Sequence, residues 1–321
     1  MIFNFNKIRT NSAVHKAYIR LATSLCGKNF DFFEEYSFSI RKQKYIVCSD
    51  IWQVLVTWFY LIGSKKKIIY WIQGSIAEES YLKHGSLVRF CILKIFERLC
   101  LLFSDGYIYV SPYMKDTYSK SIFTKGKPYL VFPCISDLKF TGESKEPNSF
   151  CYLGGMSKWQ NFPQIVSMMN VICEKKPGSV FRIATNDTEE CLKVISEVAS
   201  NCLRNSISVV SLSSKIEIEN FLSKCEFGFL IRDDILVNQV ASPIKLAEYL
   251  SCGVTVIITP AIRSYASILN QAGIVISSTD DLQKVNLISN FSEAIKMYEK
   301  YFSTSALEKS VKIFLEELKL K

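Results

Sequence analysis

The sequence predicts an α/β protein made of two parallel-sheet domains, each wound with helices. Three observations carry this. Short apolar runs alternate with amphipathic stretches along nearly the whole chain, the pattern of parallel strands joined by helical crossovers. A polar stretch at 141–149, reading TGESKEPNS, breaks that alternation near the middle. The 321 residues are enough for two domains of ordinary size. Domains are expected at 1–146 and 147–304, with 305–321 a closing helix that crosses back to the first domain. Two such domains imply a cleft, with ligands at the carboxyl ends of the strands.

The elements follow in order. The first forty or so residues are polar and aromatic; a helix fits 12–25, and no strand is evident before residue 44. Strands are then expected at 45–48, 67–72, 106–110 and 128–132, with helices at 51–62, 87–103 and 111–118. After the polar stretch, strands fit 150–153, 180–184, 206–210, 227–231, 254–258 and 274–276. Helices fit between them at 163–175, 188–199, 215–225, 243–252 and 262–270, and the chain closes with helices at 281–301 and 306–318.

Composition narrows the class. With 49% apolar residues a sizeable core is available, and with no secretory leader at 1–7 and no apolar run near 20 residues, the expectation is a cytoplasmic protein. The formal charge is +9, and all of it lies in the first half: 1–146 holds 21 Lys/Arg against 12 Asp/Glu, while 147–321 holds 18 of each. A basic face of this kind suits an anionic membrane surface; no reader motif accompanies it, so nucleic acid is not expected. The eleven cysteines show no CxxC spacing, which argues for buried, reduced thiols rather than a zinc site or disulfide framework. His15 and His84 stand apart, and no Asp-x-Asp is well placed, so no metal and no cofactor are expected.

Residues 242–259, reading SPIKLAEYLSCGVTVIIT, carry the most information. Ser242 suits an N-cap, Pro243 the first helical position, and Gly253 the left-handed residue that ends a helix. A helix N-terminus offers free N–H groups and positive partial charge, which suit a phosphate. Lys245 and Glu248 share one helix face, where one can meet a diphosphate and the other a sugar diol. Gly154 and Gly155 follow a strand, so backbone there can approach a phosphate closely, with Lys158 nearby. Arg232 ends the strand at 227–231 and can neutralise a departing diphosphate, or pair with Asp233 or Asp234 beside it.

The order Ser242-Pro243, Lys245, Glu248-Tyr249-Leu250, Ser251-Cys252-Gly253 and an apolar strand resembles the donor segment of the GT-B glycosyltransferases. The likeness is to the retaining group often called family 4, and to its bacterial surface-polysaccharide (O-antigen or capsule) members. Leu230-Ile231-Arg232 and Asn238-Gln239-Val240-Ala241 extend it. The resemblance implies two Rossmann-like domains and transfer of a hexosyl-type sugar, with retention, from a UDP-, GDP- or TDP-sugar to a saccharide or lipid-linked saccharide at the inner membrane face. It implies donor binding by Gly154, Gly155, Lys158, Arg232, Ser242, Pro243, Lys245 and Glu248. In the first domain, Gln73 after its strand and Glu78 or Glu79 fall where the family contacts sugar or acceptor; the two acids equally suit the first turn of a helix. Gln73, Glu78 and Arg232 are the catalytic candidates, and no catalytic residue is assigned.

Two departures stand out. Where much of the family has a glutamate seven residues before Glu248, this chain has Val240. Where the family opens with a strand and a glycine-rich loop, residues 1–44 show neither, so the first domain is expected to be reduced. These departures keep two alternatives open: a non-catalytic partner subunit of the same fold, and a nucleotide-sugar epimerase.

Overall fold

The computed structural model describes residues 2–4, 13–27, 31–33 and 44–320. They form two compact units, one of residues up to Cys134 together with Thr304 onward, the other Ile135–Ser303.

Unit 1 begins with β1 (Ile2–Asn4), α1 (Ala13–Cys26), β2 (Asp31–Phe33), β3 (Tyr45–Cys48), α2 (Ile51–Leu61) and β4 (Lys67–Ile72). It continues through α3 (Ile76–His84), α4 (Leu87–Phe103), β5 (Gly106–Tyr109), α5 (Pro112–Tyr118) and β6 (Tyr129–Val131). Its six strands run in the order β2-β1-β3-β4-β5-β6, all parallel. The expectation of a reduced first domain without its first strand is therefore corrected. β1 and β2 have three residues each and a polar or charged residue at one end, so periodicity alone cannot reveal them; pairing with β3 and with each other defines them. Residues 5–12, which follow β1 in sequence, lie outside the described residues and contain no glycine.

Unit 2 holds β7 (Ser149–Leu153), α6 (Phe162–Lys175), β8 (Val180–Ala184), α7 (Thr188–Val198), α8 (Asn201–Arg204), β9 (Ile207–Val210), α9 (Lys215–Ser223) and β10 (Phe227–Leu230). It ends with α10 (Leu236–Gln239), α11 (Ile244–Ser251), β11 (Thr255–Ile258), α12 (Arg263–Ala266), β12 (Gly273–Val275), α13 (Asp281–Lys284) and α14 (Phe291–Tyr301). The last helix, α15 (Thr304–Leu320), belongs to unit 1, where its Leu318 carbonyl accepts from Tyr45 Oη at 3.3 Å and Lys67 Nζ at 3.1 Å. The helix expected at 281–301 is two helices, because 285–290 leaves helical geometry before Asn290 caps α14 through the Glu293 N–H.

The unit 2 sheet has the order β12-β11-β10-β7-β8-β9, again all parallel. Alternate residues of β7 serve opposite faces: Phe150 and Tyr152 pack with Phe162, Phe181 and Phe229, whereas Cys151 packs with Leu246, Tyr249 and Leu250. Both faces are covered, as a parallel sheet requires. Chain order reverses between β7 and β10, and in open α/β sheets the crevice beyond such a reversal is where ligands bind. The polar stretch at 141–149 lies along unit 2, with Thr141 N–H bonded to Ser223 and Glu146 N–H to the Lys224 carbonyl.

Candidate functional site

At that reversal, the loops leaving β7 and β10 meet α11. Tyr249 of α11 ties the two strands together: its hydroxyl accepts from Leu153 N–H at 3.0 Å and lies 3.3 Å from the Phe229 carbonyl, which it can donate to. The ring fits because residue 228 is glycine; a Cβ there would stand 2.9 Å from the Tyr249 ring. Sequence reasoning gave Tyr249 and Gly228 no role. The signal was a glycine between two phenylalanines in a buried strand, which marks a close approach.

Lys245, one turn earlier on α11, is buried, with 9% of its surface exposed. Its amine donates to Gln160 Oε1 and to Tyr152 Oη at 3.2 Å, and lies 4.3 Å from the centre of the Tyr152 ring. It passes directly over Gly154, where a Cβ would come within 2.3 Å of Lys245 Cε and Nζ. Gly154 also has φ +139°, a conformation side chains resist, so two independent constraints select glycine. Gly155 is the next step of the turn; its carbonyl lies 2.5 Å from Tyr152 Oη, and the following amide, Met156 N–H, donates to Asp187 at 2.9 Å.

Arg232 leaves β10 and is locked at its backbone by Thr259, which accepts from the Arg232 N–H at 3.0 Å and donates to the Arg232 carbonyl at 2.9 Å. Its guanidinium donates to the Trp159 carbonyl at 2.8 Å. The suggested pairing with neighbouring aspartates does not occur: Asp234 binds Arg263, and Asp233 accepts from Asn161. Among the described residues Arg232 forms no ion pair. Burial pushes the Lys245 amine well below its ordinary range, the nearby Arg232 pushes it further, and Glu248 opposes them. Burial likewise lowers Arg232.

Two cations, the buried Lys245 and the half-buried Arg232, thus lie near one half-buried carboxylate, Glu248. The cluster carries more positive than negative charge, which suits an anionic group. Beside it, beyond β8, a pocket is lined by Met156, Asn186, Asp187, Thr188, Glu189 and Lys193. Its acids suit hydroxyl or N–H donors of a ligand rather than phosphates.

The remaining expectations land as follows. Ser242 is not the N-cap of α11: the helix starts at Ile244, Pro243 holds the capping position, and the Ser242 hydroxyl sits 3.2 Å from Tyr265 Oη. Gly253 does end the helix in the left-handed conformation, at φ +68°. Lys158 is exposed on the turn before α6, and no hydrogen bond or ion pair holds its amine among the described residues. Val240 is fully buried, and no other acid stands in for it on α10.

In unit 1, Gln73 is exposed just beyond β4. Glu78 accepts from Ser75 Oγ at 2.5 Å and pairs with Lys94 at 2.7 Å, and Lys94 also pairs with the buried Glu97 at 2.9 Å. Glu97 in turn accepts from the Ala77 N–H at the start of α3, a favourable place for negative charge. Glu78 is therefore engaged in holding this corner together. Its neighbour Glu79, against Gly74, is raised above the ordinary carboxylate range by burial and, to a lesser degree, by Glu97 and Glu78. Among the described residues no group of three metal-ligating side chains occurs.

No family model matches the chain, and no curated protein sequence matches it. Its fold does have solved relatives. Anabaena HepE in complex with UDP matches with TM-score 0.68 and 10% identity over 98% of this chain and 99% of that one. A glycosyltransferase involved in avilamycin A biosynthesis matches with TM-score 0.62 and 9% identity over 99% and 96%. The pneumococcal O-GlcNAc transferase GtfA in complex with UDP and GlcNAc matches with TM-score 0.61 and 12% identity; 86% of this chain aligns, spanning 57% of that longer one. The chain has the GT-B fold of these glycosyltransferases.

Proposed function

We propose that this protein is a glycosyltransferase that takes a sugar from a nucleoside-diphosphate donor. The observation that carries the reading is the buried Lys245 gathered with the half-buried Arg232 at the chain reversal of unit 2, with no ion pair to Arg232 among the described residues. The donor diphosphate lies against them and against the Gly154-Gly155 turn, and Glu248 takes a pair of sugar hydroxyls. Lys245 and Arg232 stabilise the charge that grows on the diphosphate as the glycosidic bond breaks. The HepE complexes with UDP and with UDP-glucose support a uridine donor, with GDP- and TDP-sugars as the other choices. The acceptor is a saccharide or lipid-linked saccharide of a surface polysaccharide, transfer proceeds with retention, and the basic first half works at an anionic membrane face. No helix of the described residues is long and apolar enough to cross a membrane.

Incubation of the purified protein with UDP-, GDP- and TDP-sugars tests this. Slow donor hydrolysis that depends on Arg232 is the expected result. Hydrolysis of none of them, with donor binding intact, would favour the one rival that a specific residue supports, a non-catalytic partner subunit with Val240 where the glutamate is usual.

A further inference from the structure

Unit 1 carries an apolar face that none of its own described elements covers. On α4, Val88, Ile92, Ile95, Leu99 and Leu102 recur at intervals of four and three residues, so they form one stripe. That stripe points outward: Val88 is 71% exposed and Ile95 57%, while Leu93, Glu97, Cys100 and Leu101 on the opposite side are buried. α4 is thus apolar on both sides, a pattern expected of a helix with something on each. α2 runs beside it, joined by Trp58 stacked on Phe103 at 3.9 Å and Trp52 edge-on to Phe96 at 4.9 Å. α2 contains no charged residue at all, and its Phe59 is 71% exposed.

The exposed charges on α4 and in the turn after α2 have one sign. Arg89 and Arg98 flank the α4 stripe on either side, and Lys65 follows the end of α2; all three are exposed. The acid in α4, Glu97, is buried on the inner side.

We propose that the α2–α4 face seats the protein on an anionic lipid bilayer. Its apolar side chains enter the boundary between headgroups and acyl chains, Trp52 and Trp58 lie at headgroup level, and Arg89, Arg98 and Lys65 meet lipid phosphates. A second copy of the chain fits less well. A two-fold dimer through this face would set a rim of arginine and lysine against itself, with no exposed acid on either helix to pair with it. The proposal deepens the membrane-facing part of the function above and rests on that part, not on the donor chemistry.

The test is co-sedimentation of the full chain with vesicles of phosphatidylcholine alone or mixed with phosphatidylglycerol. The wild type is expected to bind the anionic vesicles and to lose binding in high salt. The Phe59→Glu/Ile95→Glu variant should bind at least about tenfold more weakly. Arg89→Gln/Arg98→Gln should lose about fivefold per arginine on anionic vesicles only. Ile216→Glu, at an exposed apolar position of α9, is the control and should bind as wild type. Circular dichroism and donor binding confirm that each variant is folded. Folded α2–α4 variants that bind as well as wild type would overturn the assignment of this face and leave the membrane reading standing. Wild type that binds neither vesicle would overturn both. A wild-type dimer that Phe59→Glu/Ile95→Glu makes monomeric, with vesicle binding unchanged, would assign the face to a second copy instead.

Discussion

Lys245 does work that its position in the sequence only half discloses. Its spacing from Glu248 and its place near the start of a helix suit either a phosphate-facing lysine or one that only supports the helix face. That it lies buried over Gly154 and beside Arg232 depends on three separate segments converging, which no local pattern reports. A buried ammonium beside a second cation is held at a cost, so replacing it should separate function from stability. Lys245→Met is expected to weaken nucleoside-diphosphate binding about 10- to 100-fold while leaving the melting temperature equal or higher. Calorimetry and thermal unfolding on the same sample check both halves. Gly154→Ala should act in the opposite sense on stability. The added methyl strikes Lys245 and strains φ, a loss of about 1–3 kcal/mol measurable by denaturant unfolding. The Ser242 N-cap was misread for a simple reason: Ser followed by Pro is a strong local signal, but here the hydroxyl is used across the chain by Tyr265.

At the scale of elements, α11 is held at two points. Near its middle Tyr249 bridges β7 and β10, so Tyr249→Phe removes the acceptor of the N–H of the half-buried Leu153. It should lower unfolding free energy by about 1–3 kcal/mol and loosen the site with it, seen as faster hydrogen exchange at Leu153. Past its end, Lys145 donates to the Cys252 carbonyl at 2.8 Å and to the Leu222 carbonyl at the end of α9, so one amine caps two helix C-termini. Burial pushes that amine down to about 8. The unfolded chain keeps the proton up to the ordinary lysine range, so above about pH 8 the unfolded state binds more protons and stability gained from this group rises with pH. Measured against Lys145→Met, wild type should therefore gain relative stability between neutral and strongly alkaline pH; a flat difference would remove Lys145 from this account. The long, strongly periodic elements were legible from sequence, among them α4 and β4. The three-residue strands β1 and β2 were not, because their stability comes from neighbours in the sheet rather than from their own residues.

At the scale of the whole molecule, the fold and the charge asymmetry were both legible, since alternation of strands and helices and a count of lysines need no tertiary information. The residues of the proposed donor site could be named from the sequence, whereas their geometry could not. Tyr152, Gln160 and Thr259 hold the two cations in place and carry no motif of their own. The unit 2 site and the unit 1 face use different chemistry on different units, so they should fail separately. Variants of α2 and α4 should leave the affinity for a soluble donor unchanged, and Lys245→Met should leave vesicle binding unchanged.

The central claim is that unit 2 binds a nucleoside diphosphate through Lys245 and Arg232, and thermal unfolding with UDP, GDP, TDP and their sugars tests it most directly. A ligand that binds only the folded state at a hundred times its dissociation constant adds about 2.7 kcal/mol of stability. The account predicts a clear rise in melting temperature with one of these nucleotides, abolished in both Lys245→Met and Arg232→Gln. No rise with any of them at millimolar concentration, or an equal rise in the two variants, would contradict it.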